Sequence, residues 1–224
     1  MKETGIKKQT RELLLEKGAE LFHKQGFHHT GLNDILDAAG VPKGSFYFYF
    51  KSKEDFGLHV IDYFMDRYLA VADNHVANDR VPYLERFRNF LNEFLTFFEE
   101  NNYTGGCPIG NFSLEMSDLN ENFRKKLIES FEKMRQKVLL FLEPAQKNGE
   151  LPLAGDIGET ADFIVNSWEG ALMRVKVTRS RAPMMLFYKI VFDNLLKKTG
   201  NGSQSPTRST TDDKKFKHDK EEAQ

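Results

Sequence analysis

The chain's single cysteine, Cys107, lies in the stretch TGGCPIGNFSLEMS. Two glycines precede it, and the run reads as a flexible loop leading into a helix that starts near Asn111. A thiol at a helix N-terminus meets the positive end of the helix dipole, which lowers its pKa and favours the thiolate, the form that attacks electrophiles and oxidants. The basic residues Arg174, Lys176, Arg179 and Arg181 are a possible source of further stabilising charge. The plain alternative is a small inert hydrophobe, the usual state of a lone cysteine.

A second chemistry-bearing stretch is GVPKGSFYFYFKSKEDF, residues 40–56. Five rings stand in a row from Phe46 to Phe50, inside a run from Lys43 to Lys53 that holds no acid. On a helix Phe46 and Phe50 share a face, which places them in a small core with Leu32, Ile35 and Val41. Tyr47, Phe48 and Tyr49 cannot all join that face, so at least two rings point outward beside Lys43, Lys51 and Lys53. Phenol hydroxyls, lysines and helix N-termini hold phosphates, and small residues such as Gly44 and Ser45 let a backbone approach base edges.

Other chemistries lack their parts. No nucleophile stands with a base at workable spacing, so no enzyme is expected. GGCPIG has neither the lysine nor the preceding strand of a phosphate loop. His23, His28 and His29 in HKQGFHH make a metal site conceivable, but surface histidines at a helix end are the simpler reading. No metal and no cofactor is expected.

The elements that must position these groups are all helical. TRELLLEKGAELFHKQGF carries apolar residues at helical spacing and stops at Gly26. In TGLNDILDAAG, Thr30 is the expected N-cap and Gly40 supplies the positive φ that ends a short second helix. Pro42 fits the first turn of a third helix, and Ser52 caps a fourth, with Glu54 and Asp55 at the positive end of its dipole. Two short helices joined by a tight glycine turn, the second basic at its flanks and aromatic, match a helix-turn-helix whose second member enters the DNA major groove. The stretches VPYLERFRNFLNEFLTFFEENN, NENFRKKLIESFEKMRQKVLLFLEPAQKNG, DIGETADFIVNSWEGALMRVKVTRS and APMMLFYKIVFDNLLKK read as further helices. NGELPLAGD is a loop, no sheet is expected, and the tail from Gly200 is polar enough to be disordered.

Charge and composition set limits. With 32 Lys+Arg against 33 Asp+Glu the net charge is −1, so any case for a nucleic-acid partner is local. One cysteine excludes an intramolecular disulfide, MKETGIKKQT lacks the apolar core of a signal peptide, and no apolar run reaches the length of a membrane span. A cytoplasmic protein without a membrane partner is expected. A purely structural or interaction protein would explain the helical periodicities, but not the outward rings and the local charge.

The segment from Thr10 to Phe56, with GLNDILDAAGVPKGSFYFYFKSKEDF at its centre, closely resembles the DNA-binding region of the tetracycline-repressor (TetR) family of bacterial regulators. The resemblance implies an all-α fold, a helix-turn-helix three-helix unit over residues 1–52 and a helical effector-binding and dimerisation domain over 53–198, to which the composition adds a disordered tail over 199–224. It implies that Lys43, Gly44, Ser45, Tyr47 and Phe48 touch bases or nearby backbone, that Asn33 reaches a base edge, and that Thr30, Tyr49 and Lys53 hold phosphates. Gly31 departs from the hydroxyl residue often found there, which removes one phosphate contact. It further implies a homodimer on a near-palindromic double-stranded operator, and repression relieved by a small-molecule effector or a reactive electrophile. The last helices then pair across the two-fold axis through Phe163, Ile164, Trp168, Leu172, Leu186, Ile190, Val191 and Leu195, residues whose spacing also suits plain core. Phe90, Phe94, Phe97, Phe98, Met116, Met134, Trp168 and Met173 are apolar enough to line a ligand pocket. Some TetR-like regulators sense reactive compounds through cysteine, which makes Cys107, with Lys176 among the basic residues that could support it, a candidate sensor beside the inert reading.

Overall fold

The structure, a computed structural model, describes residues 2–151 and 155–197, with side chains from residue 7 onward. The tail expected to be disordered lies outside the described residues, as does the middle of the NGELPLAGD loop. Among the described residues nine α-helices follow one another: α1 (Lys2–Gln25), α2 (Leu32–Ala39), α3 (Lys43–Tyr49), α4 (Lys53–Val76), α5 (Tyr83–Glu100), α6 (Pro108–Met116), α7 (Glu121–Lys147), α8 (Ile157–Thr178) and α9 (Ala182–Tyr188). The last continues directly into a π-helical stretch, Lys189–Leu195. Among the described residues there is no strand.

Local signals set the helix ends. Gly26 (φ 86°) terminates α1 and Gly40 (φ 62°) terminates α2, both with a positive φ that glycine adopts without the clash a Cβ would bring. Ser52 Oγ accepts from Asp55 N at 3.1 Å to start α4, and Asn120 and Asp156 cap α7 and α8 in the same way. α5 is capped from a distance: both carboxylate oxygens of Glu150, beyond α7, accept from Tyr83 N and Leu84 N at 3.0 and 2.9 Å. Two boundaries differ from expectation. Gly31, not Thr30, is the N-cap of α2, because the Asp34 carboxylate accepts from Gly31 N at 2.7 Å and closes the helix start one residue later. α6 starts at Pro108 instead of near Asn111, since proline is well placed in a first turn and Cys107 serves as the N-cap.

The buried side chains form one continuous core. In the N-terminal unit Phe46 and Phe50 are fully buried with Ile35, as their spacing predicts, and Phe56 from the start of α4 meets the first tilted and the second edge-on, at 5.3 and 4.8 Å between ring centres. Each buried ring contributes roughly 1.5–3 kcal/mol by leaving water. α4 is the central shaft, packing against α1, α5, α6 and α7. α8 packs on α7 and α9 and completes the larger unit.

Candidate nucleic-acid interface and internal cavity

α3 is presented by its own chemistry. Its buried face is carried by Phe46, which leaves Tyr47 (52% exposed) and Phe48 (66% exposed) on the outer side. Lys43 and Gly44 at the head of the helix are exposed and Ser45 is half-buried, so the helix start is open to an incoming backbone. Asn33 is exposed on α2. Tyr49 is half-buried against Phe48 and Phe50. The Lys53 ammonium lies 4.4 Å from the centre of the Phe27 ring, and partial burial there lowers its pKa.

Thr30 is different. Its side chain is fully buried, its hydroxyl donates to Gly26 O at 2.7 Å, and it accepts from Gln25 Nε2 at 3.2 Å. It ties the end of α1 to the start of α2 and is not available to a phosphate.

Beneath this surface a cavity of about 560 Å³ opens between the two parts of the chain. α1 contributes Ala19 and His23, α4 contributes Phe64 and Tyr68, α5 contributes Phe94, Phe97 and Phe98, and α8 contributes Trp168 and Leu172. Gly106, Cys107, Pro108 and Ile109 close one wall. Of the residues expected at an effector site, Cys107, Phe94, Phe98 and Trp168 thus come together. Met116 is instead packed in the core at the end of α6, on the same buried face as Ile109 and Phe112. Met173 is 55% exposed, and Lys176 is exposed, its ammonium donating to Asn111 Oδ1 at 3.4 Å.

The thiol's environment reverses the sequence expectation. Backbone N–H groups of Ile109 and Gly110 do point at the sulfur, as a helix N-terminus requires. Burial outweighs them, and the neighbouring Glu169 carboxylate adds to it, so the Cys107 pKa is pushed well up and the group rests as a thiol. Of the expected basic residues, Arg179 donates to Asn102 O at 3.3 Å and Arg181 pairs with Glu99 at 3.4 Å. Burial also raises the Glu169 carboxyl to about 7, while the hydrogen bond from the thiol pulls it back.

Two ties join this wall to the DNA-binding unit. His23 Nε2 on α1 donates to Gly106 O at 2.7 Å, and Glu115 on α6 accepts from His28 N at 3.1 Å. Gly26 makes the second possible, since a Cβ there would lie 2.7 Å from the Glu115 carboxylate. Glu169 and Glu115 escape a reading of motifs, and His23, noted there only as a conceivable metal ligand, ties to Gly106 instead. Glu169 did leave a signal, an acid on the same helical face as Val165, Trp168 and Leu172.

Comparison with known proteins agrees with this geometry. Residues 14–60 match the family of bacterial regulatory proteins called the tetR family, and residues 84–191 match the tetracyclin repressor-like C-terminal domain. The chain is 35% identical over 193 residues to the transcriptional repressor DhaR of Mycobacterium sp. (strain GP1), covering 85% of this chain and 94% of that one. It is 31% identical to the repressor NemR of Escherichia coli (strain K12), over 78% of this chain and 88% of the relative. Among solved structures, a regulatory protein TetR from Rhodobacter sphaeroides superposes with a TM-score of 0.75 at 31% identity, covering 80% of this chain and 94% of that one. The reduced form of E. coli NemR gives 0.75 at 28%, covering 86% and 100%. The chain belongs to the TetR family and is a DNA-binding transcriptional regulator. Among the described residues no helix is long and apolar enough to cross a membrane.

Proposed function

We propose that this regulator is a cytoplasmic homodimeric repressor of a near-palindromic operator, and that it releases DNA when a small organic ligand or electrophile occupies the cavity at Cys107. The observation that carries the reading is the cavity itself. Its volume of about 560 Å³ falls in the range of small-molecule sites, it is walled by aromatic rings, and it places the chain's only thiol within reach of a guest.

The DNA-binding roles follow the exposed surface. Lys43, Gly44, Ser45, Tyr47 and Phe48 on α3 and Asn33 on α2 meet bases or adjoining backbone, while Tyr49 and Lys53 meet phosphates. Of the residues expected at the dimer face, Phe163, Leu186 and Ile190 are 40–56% exposed and suit that role, whereas Ile164, Trp168, Leu172 and Val191 are core. Two-fold symmetry then requires a repeated half-site. A guest must favour one placement of the two DNA-binding units over another, since only differential affinity shifts an equilibrium. α4 connects cavity to DNA, and its tilt sets the separation of the two α3 helices. Equal separations in DNA-bound and effector-bound structures would refute that last step.

The test is binding to duplex DNA from around the protein's own gene at two salt concentrations, with and without an electrophile, for the native chain and Cys107→Ser. Salt-sensitive binding that the electrophile abolishes only in the native chain supports the reading. Release that persists in Cys107→Ser leaves a non-covalent guest as the effector and removes the thiol from the mechanism.

A further inference from the structure

Glu169 is a buried carboxylate that neither DNA binding nor packing uses. Its Oε1 is shielded from solvent and has no hydrogen-bond partner, while the carboxylate neighbours Cys107 and helps to raise the thiol's pKa. An unsatisfied buried acid is costly, and a helix face shared with Val165 and Leu172 would be better filled by an apolar side chain. The neighbourhood is shaped around it. In the first turn of α6, Gly110 leaves the space the carboxylate fills: a Cβ there would lie 2.6 Å from Glu169 Oε2 and 3.6 Å from Cys107 Cβ. The other titratable groups nearby are Tyr68 of α4, which faces both Cys107 and Glu169, and His23 of α1 and Lys176 of α8, which both meet the adjoining Gly106.

We propose that Cys107 and Glu169 form a thiol–carboxylate dyad, in which Glu169 takes the proton from sulfur as the sulfur adds to a neutral α,β-unsaturated carbonyl compound held in the cavity. The proposal rests on the sensor reading above and names the class of compound and the group that makes the thiol reactive. In the step, the S–H bond breaks and its proton goes to the carboxylate. Sulfur forms a bond to the β-carbon, and the electron pair of the C=C bond moves to the enolate. The carboxylic acid so formed then returns its proton to the α-carbon, so that S–H has added across C=C with no oxidant or reductant consumed. A resting thiolate is unnecessary, so a partly buried thiol whose pKa is raised can still react. The same carboxylate repels anionic reagents in a low-dielectric site, and this selects neutral ones.

The experiment measures the rate of adduct formation on Cys107 with cyclohex-2-enone, by intact-mass spectrometry of the full chain from pH 5.5 to 9. The native rate is expected to climb with pH and level off once the carboxylate is ionised, near neutrality. Glu169→Gln is expected to react about 10²-fold more slowly at pH 7.5, the lower end of what a positioned base supplies, and to keep rising with hydroxide. Gly110→Ala keeps both groups but displaces the carboxylate and should slow the reaction as well, which decides the matter if Glu169→Gln does not fold. Iodoacetamide should outpace iodoacetate by more on Cys107 than on a free thiol. Glu169→Gln reacting as fast as the native chain or faster would overturn the dyad, because a carboxylate that only repels the thiolate gives that result. Since no DNA is present, rapid dyad-dependent adduct formation that leaves operator binding intact would sink the sensor reading and leave the dyad standing.

Discussion

Replacing Glu169 by glutamine should make the protein more stable at neutral and alkaline pH but not in acid. Burial raises the carboxyl from 4.5 to about 7, so the folded chain holds this proton more tightly than the unfolded chain does. Stability linked to the group is therefore fully present below pH 4.5 and is lost as the pH rises through about 7. At about 1.4 kcal/mol per pKa unit the loss amounts to roughly 3 kcal/mol by pH 8. Cys107 stays a thiol over this window, because its own pKa is pushed higher, and adds little to the slope. Glutamine keeps the shape without the titration. The variant should match the native chain near pH 5 and exceed it at pH 8 by up to about 3 kcal/mol, or roughly 6–12 °C in Tm. Urea unfolding followed by circular dichroism reads this directly, at one protomer concentration because a dimer's stability depends on it. A difference that is the same at both pH values, or a variant weaker at pH 8, would show that Glu169 is not held protonated by burial.

Other perturbations test other parts of the structure. Phe46→Ala removes a fully buried ring that touches Phe50 and Phe56 and should cost about 3–5 kcal/mol, read by urea unfolding; a loss under about 1 kcal/mol would contradict its place in the core. Lys53→Gln should weaken DNA binding on all sequences alike and make log K fall less steeply with log salt, by about 0.9 for each phosphate the ammonium neutralises, whereas an unchanged slope would place Lys53 away from phosphate. His23 has a lowered pKa, first from burial and then from Lys176, so its contribution is full above pH 6.5 and lost as the pH falls below it. His23→Gln keeps a donor for Gly106 O and should flatten the acid limb of a stability–pH profile; a limb of unchanged depth would assign acid sensitivity to other groups.

The DNA-binding half of the fold was legible because its rules are local. Gly26, Gly40 and Ser52 act within a few residues of where they stand, and the four-residue spacing of Phe46 and Phe50 needs only one helix to be read. Thr30 shows the limit, since a good capping residue lost the role to Gly31 once Asp34 turned back and its own hydroxyl found Gly26 O. The cavity was half legible: aromatic residues of α5 were expected there, but which ring faces inward depends on helices distant in sequence. The state of Cys107 was not legible at all. A helix N-terminus lowers a thiol pKa and is visible in sequence, whereas burial and a carboxylate 62 positions away raise it and are visible only in three dimensions.

The ties from His23 to Gly106 and from Glu115 to His28 both run within one protomer. Each DNA-reading unit is therefore tied to the thiol-bearing wall of its own chain. Under the proposed sensor mechanism, a dimer with one modified cysteine would keep one half competent and lose the other, and with it the high effective concentration that the first engaged half-site gives the second. Operator occupancy would then follow the square of the unmodified fraction, so that genes under this control would open early in an exposure, while most thiols were still intact.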